Sequence, residues 1–261
     1  MEGKVVLITG GSSGIGRDTA LAFAKEGARV VIAARGVERG EATAHEICAA
    51  GGRAIFVRAD MAKTADVAKL VPKTVKTYGR LDYAFNNAAT EGTPNRTAEF
   101  TEKEYDEILR VNLKAVWLAM KDQIRQMLQQ QPAGGAIVNT SSINGLGGVA
   151  GGALYAATKA AVISLSKSAA QEYAQQGIRV NALVAGGFDT PMLRRVFERA
   201  GGGDPAQAKA VEEQISQMVP LRRIGLPEEA AQAVLWLCSD AASYVTGHSM
   251  IVDGGLTAWA R

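Results

Sequence analysis

The stretch "KVVLITGGSSGIG", Lys4 to Gly16, joins a short β-branched run to a glycine-rich turn and then to the start of a helical pattern. Glycines at Gly10, Gly14 and Gly16 let the backbone turn tightly and approach a bound group closely. The free N–H groups and positive dipole end of the following helix favour an anion such as a pyrophosphate. The turn lacks the Gly-Lys-Ser/Thr of an ATP-binding loop and therefore favours a dinucleotide, with a purely structural strand-to-helix turn as the alternative.

The alternation of strand and helix continues along the chain. β-branched and apolar runs predict seven strands: "KVVLIT", "RVVIAA", "AIFVRA", "LDYAFN", "AIVNTS", "IRVNALV" and "SMIVDG". Helical patterns begin near Ile15, Glu38, Thr64, Thr101, Ala153 and Pro227. Near-continuous apolar strands separated by helices are typical of a parallel sheet covered on both faces. We therefore expect an α/β fold with a doubly wound, seven-stranded parallel sheet, in a single domain spanning residues 1–261.

Composition and charge exclude several classes of protein. Hydrophobic residues make up 47% of the chain and charged residues 21%, which is typical of a folded globular protein. The 29 basic and 26 acidic residues are spread along the chain, so we expect no nucleic-acid partner. No apolar run is long enough for a signal peptide or a membrane span, which predicts a cytoplasmic protein without a membrane partner.

Metal and disulfide chemistry are not expected. Cys48 and Cys238 lie far apart in helical patterns, and neither has a second thiol or histidine at metal-ligand spacing. We expect both to be buried, reduced thiols. His45 and His248 are isolated, so we predict no metal site.

The end of the second strand bears on the type of dinucleotide. An acidic side chain at this point would bond the adenosine ribose of NAD and repel a 2′-phosphate. The sequence here is "IAARG", with Ala34 where the carboxylate would stand and Arg35 after it. Because a guanidinium suits a phosphate, we expect NADP, with NAD less favoured. The alternative is that Arg35 is a solvated surface charge.

A tyrosine and a lysine share one face of a later helix. In "YAATKAAV" Tyr155 and Lys159 are four residues apart, so their side chains are adjacent. A phenol with an ordinary pKa of about 10 needs a nearby positive charge to act as an acid or base near neutrality. Ser142 ends the fifth strand, thirteen residues before Tyr155, and could bond the same reacting oxygen. We expect a turn or capping role to suit Ser141 better than Ser142.

These motifs, in this order, resemble the short-chain dehydrogenase/reductase family over essentially the whole chain. They are "TGGSSGIG", "NNAA", "VNL", Ser142, "YAATK" and "VDGG". The resemblance implies a Rossmann fold and a catalytic set of Asn112, Ser142, Tyr155 and Lys159. It implies that Tyr155 protonates the carbonyl oxygen, Ser142 polarises it, and Lys159 holds the nicotinamide ribose and lowers the tyrosine pKa. Asn112 would position a water, although a mid-helix asparagine bonded to backbone is the alternative.

The resemblance also implies the cofactor contacts. They are Gly10, Ser12, Ser13, Gly14, Ile15, Gly16, Arg35, Asp60, Met61, Asn87, Ala88, Ala89, Tyr155, Lys159, Phe188 and Thr190. Two positions depart from the family pattern, with Ala89 in place of a glycine and Ala185 in place of a proline. In relatives the C-terminal segment and the long helices around Asn112 and Tyr155 contribute to oligomer contacts, so we expect a homotetramer.

The segment from about 186 to 225 interrupts the alternation of strands and helices, and we interpret it as a substrate lid. Its apolar residues favour an apolar ketone, whereas Arg194, Arg195 and Arg199 would suit an anionic substrate if they are not solvated. The expected function is hydride transfer between NADP(H) and a ketone or secondary alcohol. Alternatives are an NAD-dependent enzyme of the same family, a nucleotide-sugar epimerase or dehydratase, and a catalytically silent NADP-binding scaffold or sensor.

Overall fold

Seven parallel strands form one central sheet in the computed structural model, which describes residues 1–258. The strands are β1 (Val5–Thr9), β2 (Arg29–Ala34), β3 (Arg53–Arg58), β4 (Tyr83–Asn86), β5 (Gly135–Ser142), β6 (Ile178–Ala185) and β7 (Ser249–Val252). Their order across the sheet is β3-β2-β1-β4-β5-β6-β7, and every neighbouring pair is parallel. The predicted doubly wound sheet, in a single domain, is confirmed.

Helices connect the strands and cover the sheet. They are α1 (Gly14–Lys25), α2 (Val37–Ala49), α3 (Thr64–Val67), α4 (Leu70–Tyr78), α5 (Glu102–Leu109), α6 (Ala115–Gln129), α7 (Ala153–Tyr173), α8 (Pro191–Ala200), α9 (Pro205–Met218) and α10 (Pro227–Cys238). A π-helical turn at Arg110–Lys114 joins α5 to α6. Helices α8 and α9 fill the segment between β6 and α10 that interrupts the alternation.

Alternating strand residues build two cores on opposite faces of the sheet. On β1, Val6 and Ile8 face α1, α2 and α10, whereas Leu7 faces α4, α6 and α7. All five residues of β1 are buried, because a central parallel strand has helices on both sides. The two cores hold the strands in register, and so they fix where the strands end.

The carboxyl ends of β1 and β4 mark the point where the strand order reverses. From β1 the chain winds outward to β2 and β3, then returns across the sheet to β4 and continues to β7. The connections leave the crevice above these two strand ends open, and ligands bind at this position in open α/β sheets. The glycine-rich turn after β1 and the Asn87–Ala89 segment after β4 both lie there.

The prediction for one of the two cysteines is wrong. Cys238 is buried in α10, and burial raises the pKa of its thiol to about 12. Cys48, however, is exposed. The last turn of α2 turns Ile47 rather than Cys48 toward the core, which a sequence pattern near a helix end does not resolve. Among residues 1–258, no helix has the length and apolar character needed to cross a bilayer.

Candidate active site

The glycine-rich turn leads directly from the sheet into α1. Gly10 and Gly14 have φ angles of 69° and 51°, a conformation that L side chains rarely adopt. A Cβ on Gly16 would lie 2.3 Å from the Gly10 carbonyl oxygen, so this glycine lets α1 pack against the turn. Ser13 precedes α1, and its side chain makes no capping bond to the helix. The N-terminal N–H groups of α1 therefore face the crevice, as an anion site requires.

The turn is tied to the loop that follows β4. The Thr9 hydroxyl at the end of β1 accepts hydrogen bonds from the backbone N–H groups of Asn87, at 3.0 Å, and Ala88, at 3.2 Å. The Asn87 side chain in turn donates to the Thr9 carbonyl at 3.3 Å. A methyl group on Gly10 would collide with Asn87 and Ala88, so the two loops pack closely.

A cavity of about 550 Å³ extends along these strand ends. Every site residue predicted from the sequence lines it, except Gly16 and Asn112. Arg35 lies at one end, directly after Ala34, together with Arg39 from the first turn of α2. Asp60 and Met61 follow β3 at the same end. Tyr155, Lys159 and Ser142 lie toward the other end, so one continuous space joins the two groups.

Lys159 and Tyr155 lie side by side on α7. Lys159 is only 2% exposed and donates a hydrogen bond of 2.9 Å from Nζ to the Thr140 carbonyl on β5. Its Nζ lies 5.6 Å from the centre of the Tyr155 ring. The predicted neighbouring pair is therefore present. Ala156 and Thr158, on the same turn of α7, are buried against the protein, which fixes the rotation of the helix.

The capping role expected of Ser141 at the end of β5 belongs to Ser142. Ser142 is the residue that caps, because its hydroxyl accepts from the Asn144 N–H at 3.2 Å in a 3₁₀ turn. Ser141 instead donates at 2.7 Å to the Lys159 carbonyl and so joins β5 to α7. The expectation that Ser141 caps the turn is wrong. Ser142 nevertheless lines the cavity beside Tyr155, while Ser141 holds the helix that carries the tyrosine.

Asn112 lies in the π-helical turn rather than in a regular helix. It is fully buried, and its side-chain oxygen accepts from the Thr90 N–H at 2.9 Å. Its amide nitrogen donates to the Thr90 carbonyl at 2.8 Å and to the Thr158 hydroxyl at 3.4 Å. The extra residue in a π turn re-aims the side chains around it, and such turns are frequent at functional sites. Asn112 thus fixes Thr90, which lines the cavity, from behind.

Burial controls the ionisation of the Tyr155–Lys159 pair in the protein alone. It lowers the pKa of Lys159 to about 8. Burial also raises the pKa of Tyr155, while hydrogen bonding with Ser142 opposes that rise and the Glu91 carboxylate adds to it. The expected lowering of the Tyr155 pKa is therefore not found. An additional positive charge near the phenol would be needed to bring it about.

The segment 186–225 closes the remaining side of the cavity. Phe188 is buried and pairs with Gly225 across a β-bridge. Thr190 caps α8 by accepting from the Leu193 N–H at 3.2 Å, and its methyl group lies against Gly14. The first turn of α8 is therefore anchored on the glycine-rich turn. The segment's other cavity-lining side chains are Pro191, Met192, Leu193, Arg195 and Ile215.

Several residues of the site were not predicted from the sequence. Thr9 and Thr140 precede predicted residues by one and two positions, and their place at the carboxyl ends of predicted strands could have indicated them. Arg39 follows Arg35 by four residues and could have been grouped with it on that basis. The carboxylate of Glu91 had no recognisable signal, because its partners lie more than 100 residues away in the chain.

Comparison with known proteins is consistent with this geometry. Residues 10–257 match a family model described as enoyl-(acyl carrier protein) reductase. The chain belongs to the short-chain dehydrogenase/reductase family. This short-chain dehydrogenase/reductase is 40% identical to 2,5-dichloro-2,5-cyclohexadiene-1,4-diol dehydrogenase of Sphingobium indicum, over 99% of the chain and 98% of the relative.

Two further relatives bear on the reaction. The chain is 40% identical to cyclohexanol dehydrogenase of an Acinetobacter strain, covering 97% of this chain and 95% of that one. It also resembles a crystal structure of a phenylalanine-to-tryptophan variant of actinorhodin polyketide ketoreductase with NADPH. That structure has a TM-score of 0.92, 33% identity and 98% coverage of both chains. This short-chain dehydrogenase/reductase is accordingly an oxidoreductase that acts on CH–OH or C=O groups.

Proposed function

We propose that the enzyme transfers a hydride between NADP(H) and a neutral cyclic ketone or secondary alcohol, with Tyr155 as the general acid and base. The observation that supports this most directly is the single cavity that holds Tyr155, Ser142 and Lys159 together with the glycine-rich turn. The printed activities of the relatives agree with a cyclic alcohol or its ketone.

The cavity residues fit an NADP molecule. The N-terminus of α1 and the close-packing glycines suit a pyrophosphate, and no acidic side chain ends β2. Arg35 and Arg39 offer two guanidinium groups at the end of the cavity where an adenosine 2′-phosphate would lie. The cofactor supplies the hydride when bound. A relative crystallised with NADPH supports the same choice.

The remaining chemistry belongs to the side chains of this chain. Tyr155 donates its hydroxyl proton to the carbonyl oxygen as negative charge develops there, and it takes the proton back in the oxidation direction. Ser142 donates a second hydrogen bond to the same oxygen. Lys159 supplies the positive charge beside the phenolate. Asn112 holds the Thr90 backbone against α7 and so keeps this side of the site in place.

Segment 186–225 is the proposed lid over the substrate. Helix α9 has no buried residue, and α8 has only Phe197. Few core contacts therefore oppose movement of the segment. Closing the segment would exclude water from the reacting carbonyl.

We also propose that the enzyme is a homotetramer. Tyr105 and Trp117, near the Asn112 turn, are each 48% exposed, and a partner subunit would cover them. Sedimentation velocity at micromolar concentration should therefore show a species of four chains, whereas a stable monomer would contradict the proposal.

The decisive test is an absorbance assay of NADPH oxidation with cyclohexanone, using wild type and Tyr155→Phe. We expect Tyr155→Phe to lower kcat by about 10³-fold, because the proton donor is lost. Its NADPH affinity, measured by cofactor fluorescence, should change by less than about twofold since the ring remains. Equal turnover by the two proteins would rule out the proposed acid, and preferential use of NADH would rule out the cofactor assignment.

A further inference from the structure

Three arginines lie on α8, beside the substrate end of the cavity, and each is engaged by a carboxylate. Arg194 forms two bonds, of 2.6 and 2.7 Å, with Asp189 on the same segment. Arg195 bonds both oxygens of Glu91 at 3.0 and 3.3 Å. Arg199 reaches a Glu91 oxygen at 3.4 Å. Glu91 therefore bridges the loop after β4 and two turns of α8.

Only one of these arginines faces the cavity. Arg195 lines the cavity, and Arg194 and Arg199 do not. Two nitrogens of its guanidinium are occupied by Glu91 in the bidentate arrangement that binds carboxylates most strongly. A substrate carboxylate would have to displace Glu91 to reach the same two nitrogens. Arg195 therefore reaches the cavity wall with its charge already compensated by Glu91, which lies behind the lining residues.

The position of Glu91 ties this pair to the reacting centre. Its neighbour Thr90 is held at both backbone groups by Asn112. The Glu91 side chain is only 18% exposed, and its charge is close enough to Tyr155 to raise the tyrosine pKa. Burial acts to raise the pKa of Glu91 itself, but the hydrogen bonds and charge of Arg195 outweigh it and lower that pKa. Glu91 is therefore a carboxylate throughout the neutral range.

An ordinary surface ion pair would not explain these features as well. Exposed pairs between flexible side chains add little to stability and place no charge next to a reacting group. Here a single, partly buried carboxylate binds arginines 104 and 108 residues away and lies at the seam between α8 and the loop after β4. The rest of the segment's wall is mainly apolar, with Phe188, Met192, Leu193 and Ile215.

We propose that Glu91 is a specificity-determining residue. By occupying the guanidinium of Arg195 it makes the substrate end of the cavity selective for neutral carbonyl compounds over those that carry a carboxylate. This inference rests on the proposed function, since it names the substrate class of the same site. A second negative charge brought beside Glu91 would be repelled, and removing Glu91 would leave Arg195 open to an anion.

The test compares wild type and Glu91→Gln with two matched ketones. One is cyclohexanone bearing a carboxamide opposite the ketone, and the other bears a carboxylate at that position. At saturating NADPH we expect wild type to prefer the carboxamide in kcat/KM by at least about tenfold. Glu91→Gln should lower this preference about tenfold, mainly through a lower KM for the carboxylate.

Three control variants separate charge from structure. Arg195→Gln should reject the carboxylate at least as strongly as wild type, because Glu91 remains. The double variant Glu91→Gln/Arg195→Gln should lose the improved kcat/KM for the carboxylate that Glu91→Gln alone is expected to show. Asp189→Asn releases Arg194, one position away but outside the cavity, and should leave the preference unchanged. If Glu91→Gln does not fold, Arg195→Gln still decides, since a gain in carboxylate turnover there would contradict the inference.

A binding measurement distinguishes the inference from the proposed function. The fluorescence of bound NADPH, titrated with each of the two compounds in wild type and Glu91→Gln proteins that both also carry Tyr155→Phe, reports affinity without turnover. A shift in relative affinity between wild type and Glu91→Gln, without turnover of either compound, would support the role of Glu91 and count against the reductase activity. Turnover of both compounds with the same preference in wild type and Glu91→Gln would support the reductase activity and count against the role of Glu91. Identical responses of the two proteins in both measurements would overturn the inference.

Discussion

The cavity wall that carries Tyr155 and Lys159 is continuous with the core, whereas the wall formed by residues 186–225 is attached mainly by its ends and by charged side chains. Helix α7 has eight buried residues, and its carbonyl at Lys159 is bonded to Ser141 on β5. Helix α8 has one buried residue and α9 has none. The groups proposed to react are thus held by the packing of the sheet. The proposed substrate wall is held by contacts that can change without unfolding the protein.

Lys159→Met removes the buried charge from the cavity wall that is continuous with the core, and it should affect both kcat and stability. Loss of the ammonium should lower kcat by about 10²-fold or more, because the phenolate loses its positive neighbour. The folded pKa of about 8 lies below the usual 10.5, so burial of the charged form costs about 3 kcal/mol below pH 8. After allowing for the lost bond to Thr140, we expect the free energy of unfolding of the variant to exceed that of wild type by about 2 kcal/mol at pH 7.

The pH dependence of the stability gained by Lys159→Met tests this explanation. The unfolded protein binds the extra proton between about pH 8 and 10.5, so the stability of wild type rises relative to the variant over that range. Urea unfolding at pH 7, 8.5 and 9.5 should therefore show a difference that narrows as the pH rises. Lys167→Met, at an exposed position of the same helix, is the matched control and should show no such change. A difference independent of pH would contradict the account of a charged, buried Lys159.

A smaller effect is expected at the cofactor end of the cavity. Arg35→Ala should raise the KM for NADPH by roughly 10- to 150-fold, because hydrogen bonds to a charged group are worth about 1.5–3 kcal/mol. The KM for NADH should change by less than about twofold, since NADH has no 2′-phosphate. Arg58→Ala removes the same charge from the neighbouring strand end, outside the cavity, and serves as the control. Equal losses for the two cofactors would show that Arg35 does not read the phosphate.

The contrast between the two walls can also be tested through their motion, without a mutation. Amide hydrogens of α9 should exchange at least about 10³-fold faster than those of β5 and β6, because α9 has no buried side chain to hold it. Hydrogen exchange followed by mass spectrometry, with and without NADPH, measures this. Protection of α9 equal to that of the strands would remove the contrast between the two walls.

Local patterns were sufficient to predict the fold and most of the candidate site. Strand runs such as "RVVIAA" match β2 residue for residue, since a buried parallel strand must be apolar on both faces. The glycine-rich turn and the Tyr155–Lys159 spacing are also local features, and each lies at the cavity as expected. Whether these residues perform the proposed steps stays a prediction for the kinetic tests.

Tertiary structure decided the details that depend on distant partners. Ser142 caps the turn and Ser141 binds α7 because of how β5 meets that helix. Cys48 is exposed because the last turn of α2 points it away from the core. The direction of the Tyr155 pKa reflects burial by the whole fold together with Glu91.

By itself, then, the sequence determined the order of elements and the residue types at the strand ends, because periodicity and turn chemistry act over a few residues. Only the tertiary structure decided which charged side chains form ion pairs. Glu91 and Arg195 are 104 residues apart, and their pairing depends on the packing of α8 against the loop after β4. Coulombic contacts are set by distance in space, and distance along the chain does not predict them.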